Sequence, residues 1–388
     1  MLINTEKIND TLKKASNQRV PAISAAVLSK DKILYKGYFG FSNVEKKKPV
    51  DQNSLFRIAS MTKAITSTCV YQQIDRGKLT LNTSLKDYFP EISEKKILDG
   101  FDGDGNPVLK EPERDITIGQ LLTHTSGFAY EIWNENIAKL VEKGDLVTAF
   151  AGNEEFLKAP LVFEPGSSWE YGIGIDWLGV LIEKINECSL QDYMKRNIFN
   201  PLNMENTSYD FSKEDHDRVV EVYGRNGDAY MQMPFEVPEK SSFYSGGGNL
   251  ISNVDDYSSF LKIFLNAGTV NGEKILSEKS VQSMLQSLNK TLEMNTMKTQ
   301  VPMLSDNVDF FPNTTKSWSP GFMINHEDIQ YGRPANSAGW AGLFNSFFWI
   351  DKKNHIAALI LMQMLPFVEK GCFETLQDFE SSIYSESP

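Results

Sequence analysis

The sequence predicts an α+β protein in which both chain ends contribute strands to one sheet and the middle of the chain is mostly helical. Apolar runs bounded by turn residues predict strands at 22–29 and 33–39, and again at 322–325, 344–350 and 356–362. Between these two groups, apolar residues recur at helical spacing. Neither strand group alone can cover its own apolar face, so we expect the two groups to share a sheet.

The length of the chain indicates two lobes, because 388 residues exceed what one compact core ordinarily holds. We assign residues 1–58 and 312–388 to a sheet domain that carries terminal helices at 4–16 and 366–384. Residues 59–311 form a mostly helical domain. We expect the active site in the cleft between the two domains.

Helical patterns fill the middle of the chain. The most regular one, at 253–267, has Asn253 as a cap and Gly268 at its end. The stretch 97–109 is rich in Gly and Asp, but Pro107 stands where a calcium loop needs Gly, so we predict a hairpin turn between two short strands. Further helices are predicted at 116–126, 134–143, 153–159, 174–187, 189–197 and 277–288.

The composition excludes several classes of function. The net charge of −12 argues against nucleic acid or an anionic membrane as a partner. No apolar run approaches membrane-spanning length, and no secretory signal is visible. Three widely spaced cysteines indicate reduced thiols in a cytoplasmic protein. The four histidines show no metal-ligand spacing, so we expect no metal site.

The strongest chemical signal lies at the start of a predicted buried helix. Ser60 and Lys63 are three positions apart and therefore share one helix face. Lys63 is the only charged residue between Ile58 and Val70, and both burial and a positive helix end disfavour its charged form. The pattern is typical of a nucleophile beside a proton acceptor, although Ser-x-x-Lys also occurs by chance with a solvated lysine.

Two further stretches carry candidate chemistry. Tyr171 lies beside Gly-rich segments, and a phenol near an ammonium can have a lowered pKa and serve as a general base toward Ser60. The small-residue run 337–346 leads into an apolar strand that would offer a backbone N–H to an oxyanion. Each stretch also has a purely structural interpretation. Tyr171 could be a packing residue, and the run 337–346 could be a β-bulge with a core tryptophan.

Together these stretches resemble the serine β-lactamase and penicillin-binding-protein superfamily, and look closest to the class C β-lactamase-like family VIII carboxylesterases. The similarity covers nearly the whole chain and implies a β-lactamase/transpeptidase-like fold, with an antiparallel sheet flanked by the terminal helices. Five motifs carry it in order and spacing: FRIASMTK at 56–63, LLTHTSG at 121–127, WEYG at 169–172, SGGGNL at 245–250 and GWAG at 339–342.

The resemblance also implies roles for individual residues. Ser60 would be the nucleophile, activated by Lys63 and Tyr171. The backbone N–H groups of Ser60 and Leu343 would form the oxyanion hole. No cofactor is needed. The residues expected to bind substrate are Tyr130, Trp340, Ala341, Gly342 and Tyr244.

The departures from the family pattern bear on the substrate. Class C β-lactamases carry Tyr-x-Asn, but Ile173 replaces the Asn here. They carry Lys-Thr-Gly before the oxyanion strand, where this chain has Trp-Ala-Gly at 340–342, and a bulky indole in place of a cation favours an uncharged group. The triplet Ser-Asp-Asn at 305–307 is interpreted as coincidence. No Gly-x-Ser-x-Gly elbow is present, which argues against an α/β-hydrolase.

We therefore predict a cytoplasmic serine carboxylesterase that cleaves short- to medium-chain esters of small molecules through an acyl-enzyme on Ser60. Acyl transfer or small-amide hydrolysis at the same site remain alternatives, with at most weak β-lactamase activity. A catalytically silent binding module of the same fold is a further alternative. The sequence does not determine whether Lys63 or Tyr171 is the base, nor the oligomeric state.

Overall fold

The computed structural model describes residues 2–227, 229–288 and 291–385. Its strands gather into one large sheet and several small ones. The strands are β1 (Ala22–Ser29), β2 (Ile33–Asn43), β3 (Lys48–Pro49), β4 (Phe56–Arg57), β5 (Ile97–Phe101), β6 (Pro107–Lys110), β7 (Val222–Asn226), β8 (Ala229–Met233), β9 (Ile251–Ser252), β10 (Thr269–Val270), β11 (Glu273–Lys274), β12 (Lys316–Trp318), β13 (Met323–Asn325), β14 (Ala338–Gly342), β15 (Ser346–Asp351), β16 (Ile356–Leu361) and β17 (Met364–Leu365).

The large sheet joins the two ends of the chain, as the sequence predicts. Its eight strands run in the order β12-β13-β14-β15-β16-β1-β2-β3, and every neighbouring pair is antiparallel. The junction between the two ends is the pairing of β1 with β16, in which Ala26 lies opposite Leu359. Both strands are buried along almost their whole length, because helices cover both faces of the sheet at its centre.

The helices surround this sheet and fill the middle of the chain. None of the described helices has the length and apolar composition needed to cross a bilayer. They are α1 (Thr5–Gln18), α2 (Thr62–Asp75), α3 (Ile118–Leu122), α4 (Glu135–Lys143), α5 (Gly174–Asn186), α6 (Leu190–Met194), α7 (Lys213–His216), α8 (Val254–Leu265), α9 (Glu278–Met284) and α10 (Lys370–Tyr384), with 3-10 turns at Ala59–Met61, Leu85–Asp87, Pro90–Glu94 and Glu154–Lys158 and a π turn at Lys195–Phe199.

Helix α2 lies at the centre of the helical region. Every residue from Thr62 to Gln73 is buried, so this helix has no solvent-facing side and must be surrounded by other elements. Helices α5 and α6 pack against it. The terminal helices α1 and α10 pack against each other, and α8 packs on β1 and β16. The first turn of α2 is therefore held rigidly in the core.

Several predicted elements differ from those observed. Strand β2 continues through Gly40 to Asn43, where the sequence predicts a loop. The run 337–346 contains a separate buried strand, β14, which pairs with β15. The sequence does not predict this strand, because Gly and Ala have low strand propensity. The predicted helix at 366–384 begins at Lys370. All strands of the large sheet fall within 1–58 and 312–388, while the exact domain limits stay a prediction.

The hairpin predicted between 97 and 109 is present as β5 and β6. Asp102 Oδ1 accepts hydrogen bonds from the backbone N–H groups of Asp104 and Asn106, at 2.9 and 2.8 Å. These are the contacts of an Asx turn. Asp102 therefore stabilises the backbone of the turn.

A buried ion pair attaches the C-terminal helix to the loop that precedes β14. Arg333 donates from Nε and Nη2 to the two carboxylate oxygens of Glu380, each at 2.7 Å, and its backbone N–H also donates to Glu380. Both side chains are 5% exposed. A buried pair of this kind leaves an uncompensated charge when one partner is removed.

We expect Glu380→Ala to lower the free energy of unfolding by about 3–5 kcal/mol, because the Arg333 guanidinium would remain buried without its partner. Urea denaturation followed by circular dichroism measures this change. Asp99→Ala, which removes the exposed partner of Lys110, is the control and should cost less than about 1 kcal/mol. Equal losses in the two variants would show that the buried Arg333–Glu380 pair contributes no more to the free energy of unfolding than an exposed pair.

Candidate active site

Ser60 and Lys63 lie together where α2 begins. Ser60 belongs to the 3-10 turn Ala59–Met61, which leads directly into α2. The distance from Lys63 Nζ to Ser60 Oγ is 3.3 Å, as their three-residue spacing predicts. Ser60 lines a cavity, whereas the Lys63 side chain is buried behind it.

The turn that carries Ser60 has an uncommon backbone conformation. Ala59 has a φ of +42°, in the left-handed region that residues with a side chain rarely adopt. The end of β14 presses against this turn, because a Cβ at Gly342 would lie 2.3 Å from the carbonyl oxygen of Ile58. Only glycine permits this approach. The approach brings the next residue, Leu343, to the wall of the same cavity.

The backbone N–H groups of Ser60 and Leu343 are available for an incoming ligand. Within the described residues, neither group donates a hydrogen bond to a backbone or side-chain acceptor. Both residues line the cavity. Two free N–H donors on residues that line one cavity are the feature required of an oxyanion hole.

Lys63 is held by two acceptors in addition to Ser60. Its Nζ donates to the carbonyl oxygen of Gly247 at 2.7 Å and to the hydroxyl of Tyr130 at 3.0 Å. Burial lowers the pKa of Lys63 to about 8, and the negative charge of Asp176 acts in the opposite direction. Near pH 7 the neutral amine is therefore a minority form, and its fraction grows as the pH approaches 8.

Tyr171 faces both Ser60 and Lys63. Lys63 Nζ lies 4.8 Å from the centre of its ring, and its hydroxyl accepts a hydrogen bond from Trp340 Nε1 at 2.9 Å. Burial raises the pKa of Tyr171, and its hydrogen bonds with Ser60 and Trp340 offset this only in part. This direction is opposite to the lowering anticipated from the nearby ammonium. The reason is that complete burial penalises the phenolate.

The cavity has a volume of about 690 Å³, within the range of small-molecule sites. The charged residues at its wall are the cations Arg57 and Lys240 and the carboxylates Asp176 and Glu236. The Arg57 guanidinium donates to the carbonyl oxygens of Val220 and Phe235. Among the described residues, no group of three or more His, Cys, Asp or Glu side chains is placed to bind a metal ion. Most of the wall is apolar, with Ile132, Trp133, Phe150, Phe243, Leu304 and Phe344.

Only one of the five predicted substrate-binding residues lines this cavity, namely Tyr130. Trp340 lies behind Tyr171, with its ring centre 4.4 Å from that of Trp318. Ala341 and Gly342 contribute the backbone of β14 and not the cavity wall. The hydroxyl of Tyr244 is directed to Asp210, at 2.8 Å. The structure therefore does not bring Trp340, Ala341, Gly342 or Tyr244 to the cavity.

Two residues of the site were not assigned a role from the sequence. Asp176 is a buried carboxylate in the first turn of α5, and Gly247 supplies the carbonyl that holds Lys63. The available signal for Asp176 was an acidic residue among apolar residues at the start of the predicted helix 174–187. The triplet at 305–307 takes no part, since Ser305 Oγ accepts a hydrogen bond from Trp133 Nε1 and does not contact Ser60.

A sheet joining both chain ends, with a Ser-x-x-Lys pair at the start of a central buried helix, defines a β-lactamase/transpeptidase-like serine enzyme. The chain belongs to the Beta-lactamase family, whose model matches residues 8–380. This result confirms the predicted superfamily and α+β fold class.

Curated relatives include both esterases and acyltransferases. The chain is 28% identical over 360 residues to the lovastatin esterase of Penicillium rubens, covering 87% of each chain. It is 26% identical over 395 residues to the monacolin J acid methylbutanoyltransferase of Aspergillus terreus, covering 96% of this chain and 94% of the relative. Hydrolysis and acyl transfer therefore both occur among similar proteins.

Solved structures with the same fold agree with the assignment of the chain to this family. The LovD6 mutant of simvastatin synthase from Aspergillus terreus superposes with a TM-score of 0.82 at 26% identity, over 96% of this chain and 93% of that chain. EstCE1, described as a hydrolase with promiscuous acyltransferase activity, has a TM-score of 0.76 at 18% identity and covers 98% of each chain. At that identity, the second similarity concerns the fold alone.

We expect Gly342→Ala to lower the free energy of unfolding by about 1–3 kcal/mol, because the new methyl group must displace β14 from the Ser60 turn. The midpoint of urea denaturation should fall without a change in slope. Gly103→Ala is the matched control, since a Cβ there meets nothing within 4 Å. A similar loss in both variants would contradict the close approach.

Proposed function

We propose that this protein cleaves short- to medium-chain carboxylic esters through an acyl-enzyme formed on Ser60. The observation that carries this proposal is the 3.3 Å contact between Ser60 Oγ and a buried lysine amine. The pKa of that amine is lowered to about 8, so it is able to accept a proton near neutral pH. The contact lies at the wall of a largely apolar cavity.

The proposed reaction begins when Ser60 Oγ attacks the ester carbonyl while its proton passes to the neutral amine of Lys63. The carbonyl oxygen becomes an oxyanion and accepts hydrogen bonds from the N–H groups of Ser60 and Leu343. The C–O bond to the alcohol then breaks, and the alcohol leaves with the proton held by Lys63. Water repeats the sequence on the acyl-enzyme, which releases the acid and regenerates Ser60.

Lys63 is the proposed proton acceptor, and Tyr171 is proposed to assist as a neutral phenol. Burial favours the neutral form of both groups, which produces a base from lysine but an acid from tyrosine. The Tyr171 hydroxyl accepts a hydrogen bond from Trp340, so its own proton is free to point toward Ser60 or the leaving oxygen. The two groups would titrate as a coupled pair.

The proposed substrates are small-molecule esters with an apolar acyl or alcohol part. The aromatic and aliphatic wall of the cavity supports this class. The net charge of −12 argues against nucleic acid or an anionic membrane as a partner. No lysine stands at the Lys-Thr-Gly position of class C β-lactamases, which disfavours efficient turnover of β-lactams.

Acyl transfer is the second candidate function. A relative that matches 96% of this chain is named a methylbutanoyltransferase. The two reactions share every step up to the acyl-enzyme and differ only in whether water or another alcohol attacks it. A cavity of about 690 Å³ has room for an acceptor larger than water.

The deciding experiment is intact-protein mass spectrometry after brief incubation with p-nitrophenyl butyrate. We expect a butyryl adduct on the wild-type protein and none on Ser60→Ala, with ester turnover reduced by several orders of magnitude. Unchanged circular dichroism of the variant excludes a folding defect. An absent adduct and absent turnover in the wild type would overturn the proposal in favour of a silent binding module.

Two additional arms separate the alternatives. Added primary alcohols would divert the butyryl group to a new ester if acyl transfer competes with hydrolysis, and product analysis by chromatography measures the ratio. A chromogenic cephalosporin should be hydrolysed slowly at most. Fast cephalosporin turnover would contradict the proposed preference for uncharged esters.

We expect kcat/KM for p-nitrophenyl butyrate to rise with pH, with a midpoint near 8, because Lys63 must lose its proton before it can act as a base. Lys95→Met is the matched control. Burial also lowers the pKa of Lys95 to about 8, but this lysine donates to the carbonyls of Leu157 and Ala159, away from the cavity. A rising limb lost in Lys95→Met, or centred above pH 10, would exclude Lys63 as the base.

A further inference from the structure

A buried carboxylate, Asp176, lies at the wall of the same cavity and takes no part in the steps described above. It is located in the first turn of α5, five residues after Tyr171. Its side chain is almost fully buried, at 1% exposure. Within the described residues it forms no direct ion pair with a lysine, arginine or histidine. A buried carboxylate of this kind must be stabilised by hydrogen-bond donors.

The donors to Asp176 come from two segments. The carboxylate Oδ1 accepts from the hydroxyl of Ser245 and from the backbone N–H of Gly247, the latter at 2.9 Å. Oδ2 accepts from the hydroxyl of Tyr130 at 2.8 Å. Asp176 therefore connects α5 to the Gly-rich segment 245–248 and to Tyr130.

The same two groups hold Lys63. The Tyr130 hydroxyl gives its single proton to Asp176, so it presents only lone pairs to Lys63 Nζ, 3.0 Å away. Gly247 donates its N–H to Asp176 and offers its carbonyl oxygen to Lys63 at 2.7 Å. Besides Ser60, Lys63 has two acceptors, the Tyr130 hydroxyl and the Gly247 carbonyl. The Asp176 carboxylate orients both of them.

The packing around Asp176 leaves little freedom for another arrangement. A Cβ at Gly247 would lie 2.4 Å from Asp176 Oδ2 and 2.6 Å from the Tyr130 hydroxyl. A side chain at position 247 would therefore push the segment 245–248 away from both Asp176 and Tyr130. The close approach requires glycine, and it fixes the carbonyl that Lys63 needs.

We propose that Asp176 is a positioning residue that orients Tyr130 and Gly247 around Lys63 and supplies the negative charge that stabilises the Lys63 ammonium between proton transfers. This inference rests on the proposed function and names a second determinant of the same site. Asp176 acts on the reaction only through Tyr130, Gly247 and its charge. It lines the cavity but forms no hydrogen bond with Ser60.

The electrostatic surroundings support this assignment. Burial lowers the pKa of Lys63, and Asp176 is the group whose charge opposes that lowering. The other titratable groups that face Lys63 are Tyr130, Tyr171 and His124. Burial raises the pKa of both phenols and lowers that of His124, so all three are neutral near pH 7. Tyr209, which also faces Asp176, is neutral for the same reason.

Asp176→Asn tests the proposal, because the amide has the same shape but no charge and would donate to the Tyr130 hydroxyl instead of accepting from it. We expect the rising limb of kcat/KM to move to lower pH by about one unit, since Lys63 loses the charge that favours its ammonium. We also expect kcat at the pH optimum to fall by about 10- to 100-fold, because Lys63 loses its orientation. A purely structural residue would lower activity without moving the limb.

Asp256→Asn is the matched control. Asp256 is also a buried carboxylate in the first turn of a helix, α8, and accepts from the N–H of Asn206 and the hydroxyl of Thr207 at 2.7 and 2.8 Å. It has no hydrogen bond to the Ser60 site. We expect this variant to lose stability but to keep the wild-type pH profile. An equal shift in both variants would overturn the proposal.

A substrate-free measurement separates this proposal from the proposed function. Titration of ¹³Cε-labelled lysines by NMR, with the Lys63 signal assigned by its absence in Lys63→Arg, reports the Lys63 pKa directly. The Lys63 pKa should fall in Asp176→Asn even if the protein turns over no ester. Should Asp176→Asn fail to fold, Tyr130→Phe removes one of the two oriented acceptors and should shift the titration in the same direction. An unchanged Lys63 titration in the folded variant would refute the role of Asp176.

Discussion

The burial of the Lys63 amine at the start of α2 is the constraint on which the rest of the site depends. A lysine enclosed in this way is costly unless each of its N–H donors has a partner. The carbonyl of Gly247, the hydroxyl of Tyr130 and the Ser60 side chain provide these partners. The same burial lowers the pKa of the amine to about 8. Stability and reactivity therefore have one origin, because the enclosure that must be compensated by hydrogen bonds also makes the neutral amine accessible near physiological pH.

The large sheet contributes rigidity to the other side of Ser60. Strand β14 is hydrogen-bonded along both edges, to β13 and β15, and its last residue approaches the Ser60 turn closely enough to exclude any side chain at Gly342. The left-handed conformation of Ala59 persists because this surrounding structure holds it. Two free N–H groups are thereby placed on rigid elements, where they need not reorganise when charge develops on a substrate oxygen.

The family resemblance led us to expect Trp340 at the wall of the substrate cavity. In the structure this indole packs instead among aromatic rings behind Tyr171. The Trp340 indole replaces a family lysine, but it packs against Trp318 and donates to the Tyr171 hydroxyl instead of facing the cavity. The indole therefore orients the Tyr171 phenol and does not line the cavity. The cavity wall itself is largely apolar and carries the cations Arg57 and Lys240 and the carboxylates Asp176 and Glu236.

Local spacing in the sequence was enough to determine the strand patterns at both chain ends, the hairpin at 97–109 and the proximity of Ser60 to Lys63, since i and i+3 always meet on a helix. The tertiary structure alone decided that the Gly- and Ala-rich run 338–342 is a strand and that Trp340 faces Tyr171. It also decided that burial raises the pKa of Tyr171. The physical reason is sequence separation: the acceptors that hold Lys63 are 67 and 184 positions away, and burial and hydrogen-bond direction at such distances arise only when the whole chain has packed.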